Sequence, residues 1–234
     1  MKIIQPRQGY RFSIDSILLA FFADARQAMQ AVDLGTGSGV IPLLLAYQKQ
    51  DLKIIGIEIM PEAADRARRS ATFNGLANRI AIIHGDIKNI KSLLPPGLAD
   101  LVVANPPFWK KGEGRLSQNL EQAVARHELK VELSQIVSAA AYLLTSQGRL
   151  CMIHRADRAD EIMSCFAEHE LRQIKIRWVH SFPERPPHLL LIEGQKNPSP
   201  KVTQLAPLII YRNKGEYSQE IKRIYEENPG CLNG

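Results

Sequence analysis

The chain has 234 residues, of which 45% are hydrophobic and 23% are charged, so it can bury a core of its own and is excluded from the disordered class. Thirty Lys and Arg against 24 Asp and Glu give a net charge of +6, which favours an anionic partner, and RNA fits better than a membrane. The first residues lack the apolar segment of a signal peptide, and no apolar stretch approaches the ~20 residues that span a bilayer, so we expect a cytoplasmic protein without a membrane partner.

Residues 1–30 are predicted to form a helical lead-in. From residue 31 to residue 155, short β-branched runs alternate with amphipathic stretches, which is the pattern of βαβ units that close into a parallel sheet. The strands predicted here are residues 31–35, 53–59, 79–85, 99–107 and 148–154. The helices predicted between them are residues 40–49, 61–75 and 133–148, and the last of these is expected to run up to Gly148.

Residues 156–234 are predicted to complete the same sheet. A helix is expected over 156–169, and strands are expected over 172–182 and 188–196, of which the final one is reversed. Too little chain follows to build a second core, so residues 1–234 are predicted to be a single domain. The sequence thus predicts an α/β fold with a mostly parallel sheet, one antiparallel strand and helices on both faces.

The stretch "VDLGTGSGV" leaves the first strand of the parallel region and enters a helix, so its backbone N–H groups face whatever binds above the sheet. Gly35, Gly37 and Gly39 let the backbone pass close to a ligand. A dinucleotide fold would have a glycine in place of Val40, and the carboxylate of Asp33 would repel a pyrophosphate. That carboxylate suits an α-amino group, which favours S-adenosylmethionine as the cofactor.

Two further acids follow the next two strands. Glu58 is placed to accept hydrogen bonds from ribose hydroxyls, and Asp86 could accept one from the amine of an adenine. A structural alternative exists for all three acids, since Asp33 and Asp86 could be helix N-caps and Glu58 an exposed strand end. Their position at three successive strand ends favours a shared ligand over this alternative.

The cysteines suggest neither a disulfide framework nor a metal site. Cys151, Cys165 and Cys231 are odd in number and contain no C-x-x-C pair. We therefore expect thiols without a special function, and no metal cofactor.

The stretch "NPPF" ends the fourth strand with Asn105, Pro106, Pro107 and Phe108. The amine of adenine is a poor nucleophile because its lone pair is delocalised into the ring. An amide oxygen and a main-chain carbonyl, each accepting one N–H, would hold that lone pair toward a methyl group, and the phenyl ring offers a face for a planar base. The alternative is a strand stop, because Asn-Pro-Pro is good turn chemistry anywhere.

With these motifs the chain resembles the class I S-adenosylmethionine-dependent methyltransferases, and within them the small bacterial tRNA(Val) adenine-N6 methyltransferases. The resemblance covers nearly the whole chain and includes "QGYRFSIDSILLA", "DLGTGSGVIPLLLA", "NPPF", "RPPHLLLIEGQK" and "YSQEIKRIYE". It implies a Rossmann-like, seven-stranded, mostly parallel sheet with one antiparallel strand.

The resemblance also implies a set of site residues. The cofactor-binding residues would be Asp15, Ser16, Asp33, Gly35, Gly37, Gly39, Glu58, Ile59, Asp86, Ile87 and Asn105. The residues that carry the target base would be Asn105, Pro106, Pro107 and Phe108. For Asp15 and Ser16, which would close over the cofactor, a helix N-cap is an equally good local account.

These motifs do not name the substrate, because DNA adenine, ribosomal RNA guanine and release-factor glutamine methyltransferases share the tetrapeptide. Glutamine enzymes usually carry a sizeable helical domain before the cofactor loop, where this chain has about thirty residues, and the basic balance favours tRNA. A binding module without activity is a further alternative, which the intact motifs oppose. We expect a monomer or weak homodimer. The basic residues predicted to contact nucleic acid are Lys110, Lys111, Arg115 and Arg126, with Arg185, Lys196 and Lys201 as further candidates.

Overall fold

The structure is a computed structural model that describes residues 1–6, 12–106, 132–196 and 199–227. The strands are β1 (Gln30–Leu34), β2 (Lys53–Glu58), β3 (Ile80–His84), β4 (Ala99–Ala104), β5 (Leu144–Arg155), β6 (Leu171–His180), β7 (Pro187–Lys196), β8 (Lys201–Gln204), β9 (Leu208–Ile209), β10 (Tyr211–Asn213) and β11 (Glu216–Tyr217). The helices are α1 (Ile14–Ala23), α2 (Val40–Gln48), α3 (Pro61–Phe73), α4 (Ile90–Leu93), α5 (Leu133–Leu143), α6 (Ala159–Glu168) and α7 (Gln219–Glu227).

One sheet organises this part of the chain, with the strand order β3-β2-β1-β4-β5-β7-β6-β8 and with β9 also paired to β6. Strands β1 to β5 are mutually parallel. β7 runs antiparallel to both β5 and β6, as the sequence predicted for its final long strand. β8 and β9 are short and extend the sheet beyond the seven strands expected.

Helices cover both faces of the sheet and bury two apolar clusters, which confirms the α/β prediction. On one face α1, α2 and α7 pack onto the sheet through residues such as Leu18, Leu44 and Ile221. On the other face α5 and α6 do so through residues such as Val137 and Phe166. Within the described ranges, no helix is long and apolar enough to cross a membrane.

The boundary between α5 and β5 differs from the sequence-based prediction. The amphipathic pattern predicted a helix up to Gly148, but α5 ends at Leu143 and β5 begins with the next residue. The physical reason is tertiary: a Cβ on Gly148 would lie 2.9 Å from the Ala99 carbonyl oxygen, so this glycine lets the start of β5 approach β4 closely. A single-sequence pattern does not contain that contact.

Helix α1 lies across the sheet and is held near its C-terminal end by side chains that come later in the chain. Arg149 donates to the Asp24 carbonyl oxygen at 2.7 Å, and the Gln48 amide donates to the Ala20 carbonyl at 2.9 Å. The Ala25 N–H donates to the Gln48 amide oxygen at 3.0 Å. The predicted lead-in is therefore an integral part of the fold.

A buried charge network lies where β5, β6 and β7 meet. Glu193 accepts hydrogen bonds from Arg149 at 2.7 Å and from Lys175 at 2.8 Å. Burial alone would raise the pKa of Glu193, but the hydrogen bond from Lys175 and the nearby Arg149 charge hold it below its usual range. Cys151 lies beside this carboxylate, and burial raises the pKa of its thiol, so the sulfur stays protonated.

Candidate active site

The candidate site lies at the carboxyl edge of the parallel strands, which is the edge where β1, β2, β3 and β4 end. In the register of the sheet, Leu34 of β1 is paired with Ile57 of β2 and with Ala104 of β4. The residues just beyond, including Glu58 and Asn105, are therefore brought together although they are far apart in sequence. Ligands of open α/β sheets bind at this edge.

Asp33 is completely buried in β1, and neither carboxylate oxygen has a hydrogen-bond partner among the residues that the structure describes. The pKa of this carboxyl is raised to about 7, mainly by burial and in addition by the nearby Glu58 charge, while the Thr36 hydroxyl acts in the opposite direction. The Thr36 hydroxyl does not reach hydrogen-bond geometry with it. A buried acid without a partner is costly, so this position suits a ligand that brings a positive charge.

The glycine loop after β1 is shaped for close approach. The N–H groups of Gly35 and Thr36 both donate to the Ile57 carbonyl, at 2.9 and 3.0 Å, which ties the loop to the end of β2. Gly37 has a φ of 57°, and a Cβ added to it would meet nothing within 4 Å, so there is open space above the loop. Gly39 has a φ of 84° and forms the N-cap of α2, with Ala67 of α3 3.1 Å from where a Cβ would lie.

Glu58 is 7% exposed and organises the loops on both sides of it. One carboxylate oxygen accepts from the Gly37 N–H at 2.8 Å, and the other accepts from the Met60 N–H at 2.8 Å. Each oxygen keeps further acceptor capacity, because an ionised carboxylate offers about four lone-pair positions. The alternative of an exposed strand end is therefore wrong, and Glu58 joins the glycine loop to the start of α3.

Asp86 and its neighbours form the outer side of this edge. The Asp86 side chain accepts from the Lys88 N–H at 2.9 Å and caps the short 3-10 helix Ile87–Asn89, so the local capping role considered from the sequence is present. Asp86, Ile87 and Ile59 are all half-buried. His84 lies 3.0 Å from the Ile59 carbonyl through its Nε2 atom, which fixes the turn after β2 against the end of β3.

Asn105 follows β4 directly and is held by the N-terminal helix. Its Nδ2 atom donates to the Ser16 hydroxyl at 3.1 Å, across 89 residues of sequence. This bond engages the amide nitrogen and leaves the amide oxygen as the acceptor that can meet a substrate. Ser16 is 4% exposed, so the contact lies inside the protein.

The helix-cap alternative for Asp15 and Ser16 is wrong, since Ser13 occupies the N-cap position of α1. Asp15 is half-buried in the first turn of the helix, and its charge acts on His188 at the start of β7. Burial lowers the pKa of His188, and the Asp15 carboxylate opposes that shift. The bond from Asn105 to Ser16 is the feature that sequence reasoning missed, because nothing local to either residue signals it.

Several of the predicted site residues cannot be placed. Pro106 is described and half-buried next to Asn105. The residues that lie outside the described part of the chain are Pro107, Phe108, Lys110, Lys111, Arg115 and Arg126. Cys151 and Cys165 are free and buried, and the described ranges hold no group of three or more His, Cys, Asp or Glu side chains suited to a metal ion.

Comparisons with known proteins agree with this geometry. A family model described as a methyltransferase domain matches residues 25–228. A tRNA1(Val) (adenine(37)-N6)-methyltransferase from Porphyromonas gingivalis is 33% identical, over 96% of this chain and 90% of that protein. An enzyme of the same name from Aliivibrio salmonicida is 27% identical, over 92% of this chain and 89% of that protein.

The fold also matches solved structures. A crystal structure described as a "predicted O-methyltransferase" from Agrobacterium tumefaciens superposes with a TM-score of 0.73, over 91% of this chain and 96% of that one, at 20% sequence identity. A S-adenosylmethionine-dependent O-methyltransferase from Thermotoga maritima superposes with a TM-score of 0.59 over 83% of this chain and 69% of that one, at 18% identity. At these identities the likeness shows a methyltransferase fold.

Proposed function

We propose a function for this chain from its family: the chain belongs to the tRNA1(Val) (adenine(37)-N6)-methyltransferases. It transfers a methyl group from S-adenosylmethionine to the exocyclic N6 of an adenine in tRNA, next to the anticodon of tRNA(Val). The proposal rests mainly on the Asn105 amide, which Ser16 fixes at the end of β4. The adjacent strand β1 holds the Asp33 carboxylate, which has no partner among the described residues.

The residues around the glycine loop fit the methyl donor. S-adenosylmethionine, when bound, supplies a methyl group that is activated by a positively charged sulfur. Asp33 is buried without a partner among the residues that the structure describes, and a ligand that carries an α-amino group satisfies it directly or through water. The open space above Gly37 admits the methionine portion without collision.

Glu58 binds the ribose in this proposal. Its two oxygens already accept one backbone N–H each, and the remaining lone pairs accept the two ribose hydroxyls. Ile59 packs beside the sugar, and Asp86 with Ile87 takes the adenine of the donor. The loop and α3 therefore become more firmly joined when the donor is bound.

Asn105 and Pro106 position the target amine. The Asn105 amide oxygen accepts one N–H of the adenine and the Pro106 carbonyl accepts the other, so the nitrogen lone pair leaves the ring's conjugation and faces the methyl group. Asn105 is neutral, so it adds no charge beside an amine that must lose a proton after transfer. In the same proposal Pro107 holds the base and Phe108 stacks on it. The phosphates of the tRNA are bound by basic residues, namely Lys110, Lys111, Arg115 and Arg126.

The proposal extends to the chain as a whole. Residues 1–234 act as one methyltransferase domain, as a monomer or weak homodimer, in the cytoplasm where tRNA is modified. The contacts of α1 support a single domain. This helix contacts Asn105 near one end and Arg149 at the other, so it joins the two halves of the chain. Limited proteolysis should release no stable fragment that binds the methyl donor, and size-exclusion chromatography with light scattering reports the assembly.

The experiment is methyl transfer from tritiated S-adenosylmethionine to unfractionated tRNA, followed by nucleoside mass spectrometry. We expect N6-methyladenosine in the tRNA fraction and its absence from the same fraction of a deletion strain. A purified release factor serves as the comparison substrate. Label in release factor rather than tRNA, or a methylguanosine as product, would overturn the proposal.

A further inference from the structure

The carboxyl edge of the sheet continues well beyond Asn105. β7 runs antiparallel between β5 and β6, so its first residues lie at the same edge as the last residues of β6, with Pro187 paired to His180. β9 is parallel to the end of β6 and pairs with Val179 and His180. The start of β7 and the ends of β6 and β9 therefore form one row with the end of β4.

Contacts link this row to the candidate site. Asn105 is bonded to Ser16, and the adjacent Asp15 acts on His188 at the start of β7. His188 lies 3.3 Å from the Ser181 hydroxyl, and the Ser181 carbonyl accepts from the Tyr211 N–H at 2.9 Å. From β4 to β9 there are four strand spacings of about 4.8 Å, so the two ends of the row are roughly 19 Å apart.

The far end of the row carries a stack of aromatic rings. Tyr211 and Tyr217, on the two strands of the β10–β11 hairpin, stack at 5.2 Å between centroids with an interplanar angle of 13°. Phe182, just after β6, lies 5.6 Å from Tyr211, and Tyr225 of α7 lies 5.4 Å from Tyr217. The first three rings are half-exposed, so this end of the row presents fixed aromatic surface.

Exposed cations surround these rings. Arg212 lies in β10, Lys214 lies at the hairpin tip and Arg185 lies in the loop before β7. All three are exposed, and none forms a salt bridge with a described residue. The charge of Arg212 acts on Glu216, but the pKa of Glu216 is lowered mainly by hydrogen bonds from Asn213 and Lys222. Glu216 pairs with Lys222 at 3.4 Å, and Glu220 accepts both of its bonds from Arg177, while Glu184 is exposed beside Arg185.

We propose that Phe182, Arg185, Tyr211, Arg212 and Lys214 form a docking surface for the tRNA backbone next to the target adenine. The inference rests on the proposed function and adds where the rest of the substrate lies. Exposed cations beside half-exposed aromatic rings suit a nucleic-acid strand, because the cations can bind phosphates and the rings can contact bases or sugars. This surface lies on the same edge of the sheet as Asn105. We therefore expect the molecule that binds here to be the same tRNA whose adenine is methylated.

The register provides a matched control for the test. Arg172 at the start of β6 and Lys53 at the start of β2 are exposed cations at the opposite, amino edge of the sheet. The double variant Arg212→Ala/Lys214→Ala should be compared with Lys53→Ala/Arg172→Ala. The two double variants remove the same charge from the protein.

For the hairpin variant we expect the KM for tRNA to rise about tenfold while kcat at saturating tRNA stays within about twofold, because the surface holds the RNA and does not touch the amine. The slope of log K against log salt should fall by roughly 1.4 to 1.8, which corresponds to two lost phosphate contacts. The control variant should match the wild type in both measurements. Unchanged melting temperatures establish that both variants are folded.

The possible outcomes separate the two proposals. If the wild type methylates tRNA and both double variants behave alike, the docking surface is overturned and the function stands. If the wild type methylates no tRNA, and the hairpin variant instead reduces methylation of a protein substrate, both proposals are overturned. A loss of S-adenosylmethionine affinity in the hairpin variant would also contradict the docking role.

Discussion

Asp33 and Glu193 are two buried carboxylates in the same transverse row of the sheet, and they have opposite surroundings. The row runs from Asp33 through Val103 and Cys151 to Glu193, three strands away. Glu193 accepts hydrogen bonds from two cations and its pKa is lowered. Asp33 has no described partner and its pKa is raised to about 7.

The difference separates an acid that stabilises the fold from an acid kept for a ligand. Where β5, β6 and β7 meet, the protein supplies its own counter-charges, and the network joins α1 to the sheet through Arg149. At the end of β1 the described part of the chain supplies no counter-charge for Asp33, which is costly without a ligand and favourable when a cationic ligand binds. An unsatisfied buried carboxylate is therefore a better indicator of the binding site here than burial alone.

The largest effect on activity should follow from Asn105→Ala, in the candidate active site. It removes the acceptor that orients the amine, so we expect kcat to fall about 100- to 1000-fold, by analogy with the loss of one positioned hydrogen-bond group in other enzymes. Single-turnover transfer to tRNA measures this loss. The affinity for S-adenosylmethionine, measured by calorimetry, should change less than about threefold, and a parallel loss of donor binding would contradict the role of Asn105.

Glu193→Gln tests whether the buried charge network around Glu193 stabilises the fold. The substitution keeps the shape but leaves the half-buried Arg149 without its counter-charge, so we expect the free energy of unfolding to fall by about 2 to 3 kcal/mol. Urea denaturation measures the change. Asp65→Asn is the control, because its pair with Arg69 at 3.4 Å is well exposed and should contribute less than about 0.5 kcal/mol. Donor affinity should be unchanged, and a weakened donor site would mean that the two regions are not separate.

Asp33→Asn should remove the pH dependence of stability that Asp33 gives the protein. Because the folded pKa of Asp33 is raised from 3.8 to about 7, the folded protein keeps a proton that the unfolded chain has lost, and the free energy of unfolding falls as pH rises through this window. The full shift corresponds to about 4 kcal/mol, and relaxation around the charge lowers this to about half, so we expect an effect on the order of 2 kcal/mol.

The measurement for Asp33→Asn is denaturation without ligand at pH 5 and pH 8. The variant should lose the decline that the wild type shows between these values and be the more stable protein at pH 8. It should also bind S-adenosylmethionine more weakly, because the amino group no longer meets a carboxylate. A variant with unchanged donor affinity would show that Asp33 is not the acid that the ligand satisfies.

The smallest effect should come from Ser16→Ala, which removes the hydroxyl that holds Asn105. We expect kcat to fall about 5- to 10-fold, the size of one hydrogen bond, with donor affinity and the KM for tRNA unchanged. Ser16→Thr keeps the hydroxyl and should recover most of the rate. If Ser16→Ala instead weakens donor binding, Ser16 contacts the cofactor, as the family resemblance implies, and does not act through Asn105.

The sequence predicts the parts of the site that depend on neighbouring residues. β1, β2 and β4 are apolar runs that end in Asp33, Glu58 and Asn105, so strand positions and the residues at their ends follow from pattern alone. The reversed β7 is predicted in the same way, from an apolar run after a proline-rich loop. The capping role of Asp86 is also visible locally, because Asx caps act within two or three residues.

The remaining features depend on contacts between distant residues. Glu193 meets Arg149 and Lys175 across 44 and 18 residues of sequence, and only the register of three strands brings them together. The end of α5 at Leu143 depends on how closely β5 must approach Ala99. The raised pKa of Asp33 depends mainly on its burial in the folded protein, which a one-dimensional pattern does not contain.

The contacts at the two ends of α1 also determine when a newly synthesised chain can complete its fold. Ser16 meets Asn105 across 89 residues, and the Asp24 carbonyl meets Arg149 across 125. At about 5 to 20 residues per second, the ribosome needs roughly 6 to 25 seconds to deliver Arg149 after Asp24. During that interval the apolar side of α1 has α2 beside it but lacks its neighbours in β5 and β7, so nascent chains that stall before residue 149 should be the ones that depend on chaperones.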